Sequence, residues 1–231
     1  MPLPVSILTA SNHLKRPTLS LNDQAYERIK EKIISLELPP ASLIDEARLA
    51  SDLGMGLTPV RHALRKLAIK KLVIILPRRG TLVADLNTSD LQKIYELRIE
   101  LEVLAAQLAA QRATPEEVQQ LDRLAHCHLI DLTEGNNQEL IELDREIHLL
   151  IANASQNEFL LETIEWLYNH IQRLWNLTID KIPNLDDAIQ EHKELCDAIS
   201  VGNATMAGEL MRVHVTHFQK EVNRLLVGVR Q

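Results

Sequence analysis

The sequence has few aromatic residues, few glycines and only two cysteines. Aromatic residues make up 3% of the 231 residues and there are seven glycines. This composition disfavours a strand-rich protein. The abundant residues are instead Leu, Ala, Glu and Gln, which favour helices because their side chains lose little freedom there. Cys127 and Cys196 lack the paired spacing of a disulfide framework or a zinc knuckle, which favours a reducing environment.

Membrane, export and catalytic signals are also missing. No apolar stretch approaches the roughly 20 residues that span a bilayer, and residues 1–20 lack the apolar core of a signal peptide. The sequence contains no nucleophile elbow, phosphate-binding loop or HExxH motif. We therefore expect a globular cytoplasmic protein that is not an enzyme and has no membrane partner.

Charge is divided unequally along the chain, although the formal net charge is −7. Residues 1–86 hold 13 basic and 8 acidic side chains, whereas residues 87–231 hold 12 basic and 24 acidic ones. Seven of the basic residues, and no acidic residue, lie between Gly54 and Gly80. An acid-free basic segment of this kind is typical of a surface that binds nucleic acid.

The pattern along the chain predicts three regions. Residues 1–20 lack clear periodicity and hold three of the nine prolines, so we expect a flexible N-terminal arm. Residues 21–86 combine short helical stripes with turn signals and two short apolar runs, which indicates a winged helix-turn-helix DNA-binding domain. Residues 87–231 form long amphipathic segments that predict a separate helical domain.

Local signals place the elements of the winged domain. An apolar stripe beginning at Tyr26 predicts a first helix, Asp45 opens a second helix, and Gly54 ends it. Thr58, which is followed by a proline, is predicted to cap a third helix over residues 59–70. A two-stranded wing with a basic tip is predicted from the apolar runs at residues 73–76 and 81–83.

The acidic region is predicted to be an antiparallel all-helical bundle, with Trp166 and Trp175 packed in its core. The fold class is therefore mainly α, with an N-terminal winged helix-turn-helix and a C-terminal helical bundle. Polar breaks separate six expected helices, over residues 90–112, 115–133, 137–153, 157–179, 185–201 and 204–228.

Two residue pairs in the bundle have the spacing of neighbours on one helical face. Asp144 and His148 could converge on one cation, but a hydrogen bond on a solvated face explains a lone pair equally well. Arg98 and Glu102 could form a simple intrahelical ion pair.

Two parts of the sequence resemble known families. LASDLGMGLTPVRHALRKLAIKKLVIILPRRGTLVA resembles the DNA-binding domain of the GntR family over about residues 22–84, although Leu57 and Lys71 stand where arginine and glycine are common. YELRIELEVLAAQLAAQRAT, DREIHLLIANAS, EHKELCDAI and MRVHV resemble the FCD effector-binding domain of the FadR-like branch of that family. With a short junction and six visible helices, the second part resembles the VanR-type subgroup more than the seven-helix variant.

The resemblance implies three sets of functional residues. The DNA-binding set is Arg48, Thr58, Arg61, Arg79 and Gly80. The metal-binding set is Asp144, His148, His192 and His214. The effector-binding set is Arg98, where the resemblance implies a cavity-facing guanidinium that grips a carboxylate by two hydrogen bonds, with His170 and Arg173 as additional candidates. The last two would qualify if the helix over residues 157–179 lines the cavity, and placement on the surface is the favoured alternative for each.

The resemblance also implies a metal cofactor and several binding partners. One carboxylate and three imidazoles suit a divalent ion, with zinc the first candidate and nickel, manganese or iron as alternatives. A bundle core of satisfied polar side chains without metal is the competing interpretation. The implied function is a ligand-responsive transcription regulator, most simply a repressor, that binds a palindromic DNA operator as a homodimer and senses a small organic acid. A regulator that senses the metal itself, or a metalloenzyme fused to a DNA-binding domain, are the alternatives.

Overall fold

The computed structural model describes residues 19–131, 137–178 and 186–228, so the predicted arm over residues 1–20 lies almost wholly outside the described part. The described chain begins with a small domain of three helices and three strands. Its elements are α1 Leu21–Ile34, β1 Leu43–Ile44, α2 Glu46–Leu53, α3 Leu57–Ile69, β2 Val73–Leu76 and β3 Gly80–Val83. The strands form one antiparallel sheet in the order β1-β3-β2.

Side-chain and glycine caps set the bounds of α2, as predicted. The Asp45 carboxylate accepts hydrogen bonds from the backbone amides of Ala47 and Arg48, both at 3.0 Å. Gly54 ends the helix in the left-handed conformation, with a φ of 63° that favours a residue without Cβ.

The predicted start of α3 is wrong. The helix begins at Leu57, its N-cap is Gly56, and no side chain caps it, so Thr58 already lies inside the first turn. The two-residue strand β1 was not predicted, because two residues are too few to show alternation. It pairs with β3 through Leu43 opposite Leu82.

The second part of the chain is the predicted helical bundle, so the mainly α fold class is confirmed. Its helices are α4 Thr88–Arg112, α5 Pro115–Asp131, α6 Asn137–Ala154, α7 Glu158–Thr178, α8 Asp186–Ser200 and α9 Ala204–Gly228. The side chain of Asn87 caps α4 by accepting a hydrogen bond from the Asp90 amide at 2.7 Å. In the described part of the chain, no helix is both long enough and apolar enough to cross a bilayer.

Each part has its own hydrophobic core. In the winged domain, buried residues of α1 and α3 such as Ile29 and Leu64 form one cluster. In the bundle, buried residues of α4 to α9 form a second cluster that contains Trp175. Trp166 is only partly buried and is absent from both clusters, so its predicted place in the core is wrong. The boundary between residues 86 and 87 stays a prediction.

Candidate functional site

The four residues predicted as metal ligands come together inside the bundle. Asp144 and His148 lie one turn apart on α6, His192 lies on α8 and His214 on α9. One ligand atom from each residue lies within 4.8 Å of the others, and all four residues are buried. The interpretation of Asp144 and His148 as a pair on a solvated face is therefore wrong.

The spacing of the donor atoms fits a single small cation. The Nε2 atom of His148 lies 3.2 Å from Nε2 of both His192 and His214. The Oδ1 atom of Asp144 lies 3.6, 3.3 and 3.7 Å from the Nε2 atoms of His148, His192 and His214. Donors about 2.0–2.1 Å from one zinc ion at tetrahedral angles would be about 3.3 Å apart.

Carboxylates behind the imidazoles fix which ring nitrogens face the centre. Nδ1 of His148 is bound to Glu102, and Nδ1 of His214 lies 2.9 Å from Glu191. A carboxylate can only accept, so in each contact Nδ1 carries the proton when the imidazole is neutral. The Nε2 lone pairs are then free to point at the centre, which is the tautomer that a metal requires.

A chain of buried contacts connects Asp144 to His148 through side chains of two other helices, α7 and α4. The hydroxyl of Tyr168 donates to Oδ2 of Asp144 at 3.0 Å and accepts from the guanidinium of Arg98. Arg98 also pairs with Glu102, the partner of His148. The predicted intrahelical pair of Arg98 and Glu102 is thus present, and it is buried rather than exposed.

Electrostatics favour an anionic Asp144 and a cationic His214 in the metal-free cluster. Burial raises the pKa of Asp144, but the three imidazoles outweigh it and hold that pKa well below its usual range. Burial and the charge of His214 lower the pKa of His192 to about 3. Burial also lowers the pKa of His214, but hydrogen bonds with Asp144 and Glu191 outweigh it and raise that pKa to about 8. His214 therefore holds the proton that a metal would displace at neutral pH.

The residues predicted to bind DNA lie on the exposed side of the winged domain. Arg48 is on α2, Thr58 and Arg61 are on α3, and Arg79 and Gly80 form the wing tip, all exposed to solvent. The guanidinium of Arg61 lies 2.8 Å from a carboxylate oxygen of Glu46. Arg61 would have to break this ion pair in order to contact a base or a phosphate of DNA. The individual DNA contacts stay predictions.

His170 and Arg173 are not brought together with the metal cluster. Nε2 of His170 donates to the backbone carbonyl of Lys70 at 3.0 Å, and Arg173 donates to the carbonyl of Ala84. Both side chains line a cavity of about 820 Å³ between the winged domain and α4. They lie at the junction of the two parts of the chain, and their predicted contact with an effector stays a prediction.

The sequence did not predict the carboxylates and the hydroxyl that support the cluster. Glu191 immediately precedes the ligand His192, which was an available signal, and it also holds His217 through Nδ1 at 2.8 Å. Glu102 was considered only as a partner of Arg98. Tyr168 gave no signal, since it is 24 residues from its partner Asp144.

Comparison with known proteins agrees with this arrangement of domains. Residues 21–83 match the family described as "Bacterial regulatory proteins, gntR family", and residues 93–217 match the FCD domain. The chain is 27% identical over 206 residues to the HTH-type transcriptional regulator YdhC of Bacillus subtilis, covering 88% of this chain and 91% of that protein. It is 22% identical over 209 residues to the HTH-type transcriptional repressor RspR of Escherichia coli, covering 90% and 92%.

A solved structure has the same fold over most of its length. The structure of McbR/YncC from E. coli superposes with a TM-score of 0.80 at 24% identity, covering 89% of this chain and 98% of that one. The matched families and relatives are transcription regulators and not enzymes. The chain therefore belongs to the gntR family of bacterial regulatory proteins, and it is a DNA-binding transcriptional regulator that carries an FCD domain.

Proposed function

We propose that this regulator binds one divalent metal ion through its buried Asp/His cluster and responds to a small carboxylate that binds at the same site. The convergence of one carboxylate oxygen and three Nε2 atoms within 4.8 Å of one another carries the proposal. The proposed ligands are Asp144, His148, His192 and His214. When bound, the ion would supply a Lewis-acidic centre for a hard oxygen ligand.

The surrounding residues prepare the ligands for that role. Glu102 and Glu191 orient the rings of His148 and His214 and keep their protons on Nδ1. Tyr168 holds Oδ2 of Asp144, which leaves Oδ1 directed at the imidazoles. Three nitrogen donors and one oxygen suit zinc first, and also nickel, manganese or iron.

A group of buried donors beside Arg98 supports an anionic effector. Within the described part of the chain, Nη1 of Arg98 is buried without a hydrogen-bond partner, and Nε1 of Trp175 and the hydroxyl of Tyr95 are buried with no partner other than each other. The guanidinium carbon of Arg98 lies 5.3 Å from the centre of the Trp175 ring and 6.0 Å from that of Tyr95. Each unpaired buried donor costs about 1–3 kcal/mol, so a carboxylate that accepts from them would be stabilised.

The DNA-binding side follows from the winged domain. Arg61 on α3 would read a base edge in the major groove while Arg79 and Gly80 bring the wing close to the backbone. One winged domain contacts a short half-site, so we propose a homodimer on a palindromic operator. E. coli RspR and GlaR are named repressors, and we propose the same direction of control for this chain.

A regulator that senses the metal alone is the second candidate. The geometry of the donors favours this candidate if the bound ion accepts only four ligands. Four protein ligands at near-tetrahedral separations would close the coordination sphere of a four-coordinate zinc ion, as in structural zinc sites. An ion that accepts five or six ligands would keep positions open for a carboxylate. The identity of the ion thus separates the two candidates.

The test combines metal analysis with ligand binding on purified protein. Protein loaded with Zn²⁺ or Ni²⁺ would be screened against mono- and dicarboxylates by thermal shift, and each hit measured for its effect on binding to a DNA operator selected from random sequence. Wild type should hold one ion per chain, His192→Ala should lose it, and the exposed His126→Ala should not. Equal metal content in wild type and His192→Ala would refute the metal site.

The carboxylate is tested by the same screen with Arg98→Lys, which keeps the charge but loses the planar donors. Hits should stabilise metal-loaded wild type more than metal-free protein or the lysine variant. Stabilisation that is independent of both metal and Arg98 would refute the carboxylate site. Operator affinity that changes with metal and is not changed further by any acid in the screen would decide for the metal sensor.

A further inference from the structure

Helix α7 presents two opposite faces to different parts of the molecule. Ile164, Tyr168, Ile171 and Trp175 follow one another at helical spacing and are buried in the core of the bundle. Trp166, His170 and Arg173 have the same helical spacing, and each lies two residues after a member of the first set. Two residues correspond to about 200° around a helix with 3.6 residues per turn, so these three side chains lie on the opposite face. The second face is turned toward the winged domain, as its hydrogen bonds show.

The outer face of α7 holds the winged domain by its backbone. Nε1 of Trp166 and Nε2 of His170 both donate to the carbonyl of Lys70, at 2.9 and 3.0 Å. Arg173 donates to the carbonyl of Ala84, and Asn176 donates to the carbonyl of Ile34 at 2.7 Å. We call these four donors the α7 latch.

The acceptors are the groups that fix the orientation of the DNA-binding elements. Lys70 is the C-cap of α3, the recognition helix, and Ile34 is the last residue of α1. Carbonyl groups at these helix ends have no partner within their own helix, so donors from another element satisfy them. Ala84 directly follows the last strand of the wing. A displacement of α7 would therefore move α1, α3 and the wing together.

The inner face of α7 contacts the cluster of metal ligands through Tyr168. The Tyr168 hydroxyl donates to the carboxylate of Asp144 and accepts from Arg98, and both contacts are buried. Tyr168 is two residues from His170 and Trp166, on the opposite side of the same helix. Tyr168 thus connects Asp144 to the helix that carries the latch.

The winged domain has room to move when the latch changes. Only residues 84–87 connect the end of β3 to the start of α4. The cavity of about 820 Å³ beside the latch separates β2 from the first turns of α4, and Ile74 and Leu97 in its lining are about half exposed. The hydrogen bonds of the latch therefore hold the winged domain on the side of α7, and the cavity lies between β2 and α4.

We infer that α7 couples the metal site to the DNA-binding domain, with Tyr168 as the positioning residue on the inner face and the α7 latch as the output. This inference rests on the proposed function of the metal site. An ion held by Oδ1 of Asp144 and the imidazoles would fix the position of that carboxylate. Tyr168, which donates to Oδ2, would be held with it, and α7 would then hold α3 in one orientation through the latch. Two-state coupling of this kind requires that each state of the site favours a different position of the domain.

The experiment uses Zn²⁺ alone as the probe and Trp166 as the reporter. The chain contains only two tryptophans, so Trp175→Phe leaves Trp166, in the latch, as the sole source of indole emission. Saturating Zn²⁺ should change the emission maximum and the acrylamide quenching of Trp166. Tyr168→Phe in the same background should still bind Zn²⁺, because Oδ1 of Asp144 and the imidazoles are intact, but Trp166 should no longer respond.

Operator binding gives the second readout. Zn²⁺ should change the operator affinity of wild type by about 5- to 150-fold, the usual range for coupling between sites. Tyr168→Phe and the latch variant Asn176→Ala should bind operator with affinities that differ by less than about twofold with and without Zn²⁺. Asn223→Ala, an exposed asparagine on α9, is the matched control and should respond as wild type does.

The outcomes separate this inference from the proposed metal site. Wild type that binds no Zn²⁺ refutes both. Wild type whose operator affinity responds to Zn²⁺, together with an equal response in Tyr168→Phe and Asn176→Ala, refutes only the coupling through α7. A Zn²⁺ response of operator affinity without any response of Trp166 in the Trp175→Phe background also refutes the coupling.

Discussion

Glu191 holds two histidines of α9, accepting from Nδ1 of His214 at 2.9 Å and from Nδ1 of His217 at 2.8 Å. Only His214 belongs to the cluster of metal ligands, while His217 is partly exposed. The carboxylate therefore connects a buried ligand to the surface of the bundle. It orients the imidazole of His214 and, with Asp144, raises its pKa. The metal site thus depends on residues that do not touch the ion.

We predict that Glu102→Gln weakens metal binding without changing any ligand. Glu102 orients His148 through Nδ1, and loss of such a supporting carboxylate costs about 10- to 100-fold in metal affinity. Competition with a chromogenic chelator measures the Zn²⁺ affinity of both proteins. Glu194→Gln on α8, which is exposed, is the control. Unchanged Zn²⁺ affinity in Glu102→Gln would contradict the supporting role.

Metal affinity should depend on pH through His214. Because its pKa is about 8 in the metal-free cluster, His214 is protonated at pH 7 and must lose that proton to bind an ion. Below the pKa, apparent Zn²⁺ affinity should fall by about tenfold for each unit that the pH decreases, and above it this dependence should level off.

Chelator competition at several pH values checks this dependence, and a pH-indicator dye in weak buffer measures the released proton directly. Glu191→Gln should lower the pKa of His214 and move the break in the curve to lower pH, because the raising carboxylate is lost. Zn²⁺ affinity that is constant between pH 6 and pH 8 would show that His214 is not the titrating ligand.

Arg61→Ala should lower affinity for the selected operator by roughly 1–3 kcal/mol and relax the base preference at the contacted position. Arg79→Ala should instead weaken binding to all sequences by similar factors, because a wing contact to the phosphate backbone carries no base information. Fluorescence anisotropy at fixed salt measures both. Arg224→Ala, an exposed arginine on α9, serves as control. An Arg61→Ala protein with wild-type operator affinity would contradict the assignment.

Gly80→Ala should destabilise the wing. Gly80 has a φ of +102°, and a Cβ atom there would lie 3.3 Å from the side chain of Leu43. The strained conformation should cost on the order of 1–3 kcal/mol in the free energy of unfolding, measured by urea denaturation. Gly56→Ala is the matched control, since no positive φ occurs there and its Cβ would lie 3.8 Å from the nearest atom. Equal losses in both variants would contradict a special role for Gly80.

The sequence predicted the helices of the bundle because the signals that begin and end a helix lie within a few residues of its ends. Each helix bound follows from punctuation such as Pro115 or Gly202 and from the spacing of apolar residues, which depends on neighbours within a few positions. The start of α3 was misplaced, since a threonine before a proline is a strong cap signal that the Gly56 turn overrides. The ligand set came from resemblance to a family, and the spacing of Asp144 and His148 alone left it open.

The sequence by itself determined the class of protein: the acid-free basic segment, the helical periods and the family motifs point to a DNA-binding regulator. Only the tertiary structure decided which side chains support the cluster and where His170 and Arg173 lie. Trp166 and His170 donate to a carbonyl 96 and 100 residues away, and Tyr168 faces the opposite side of the same helix. Contacts across such separations depend on how whole helices pack, and no local pattern encodes that packing.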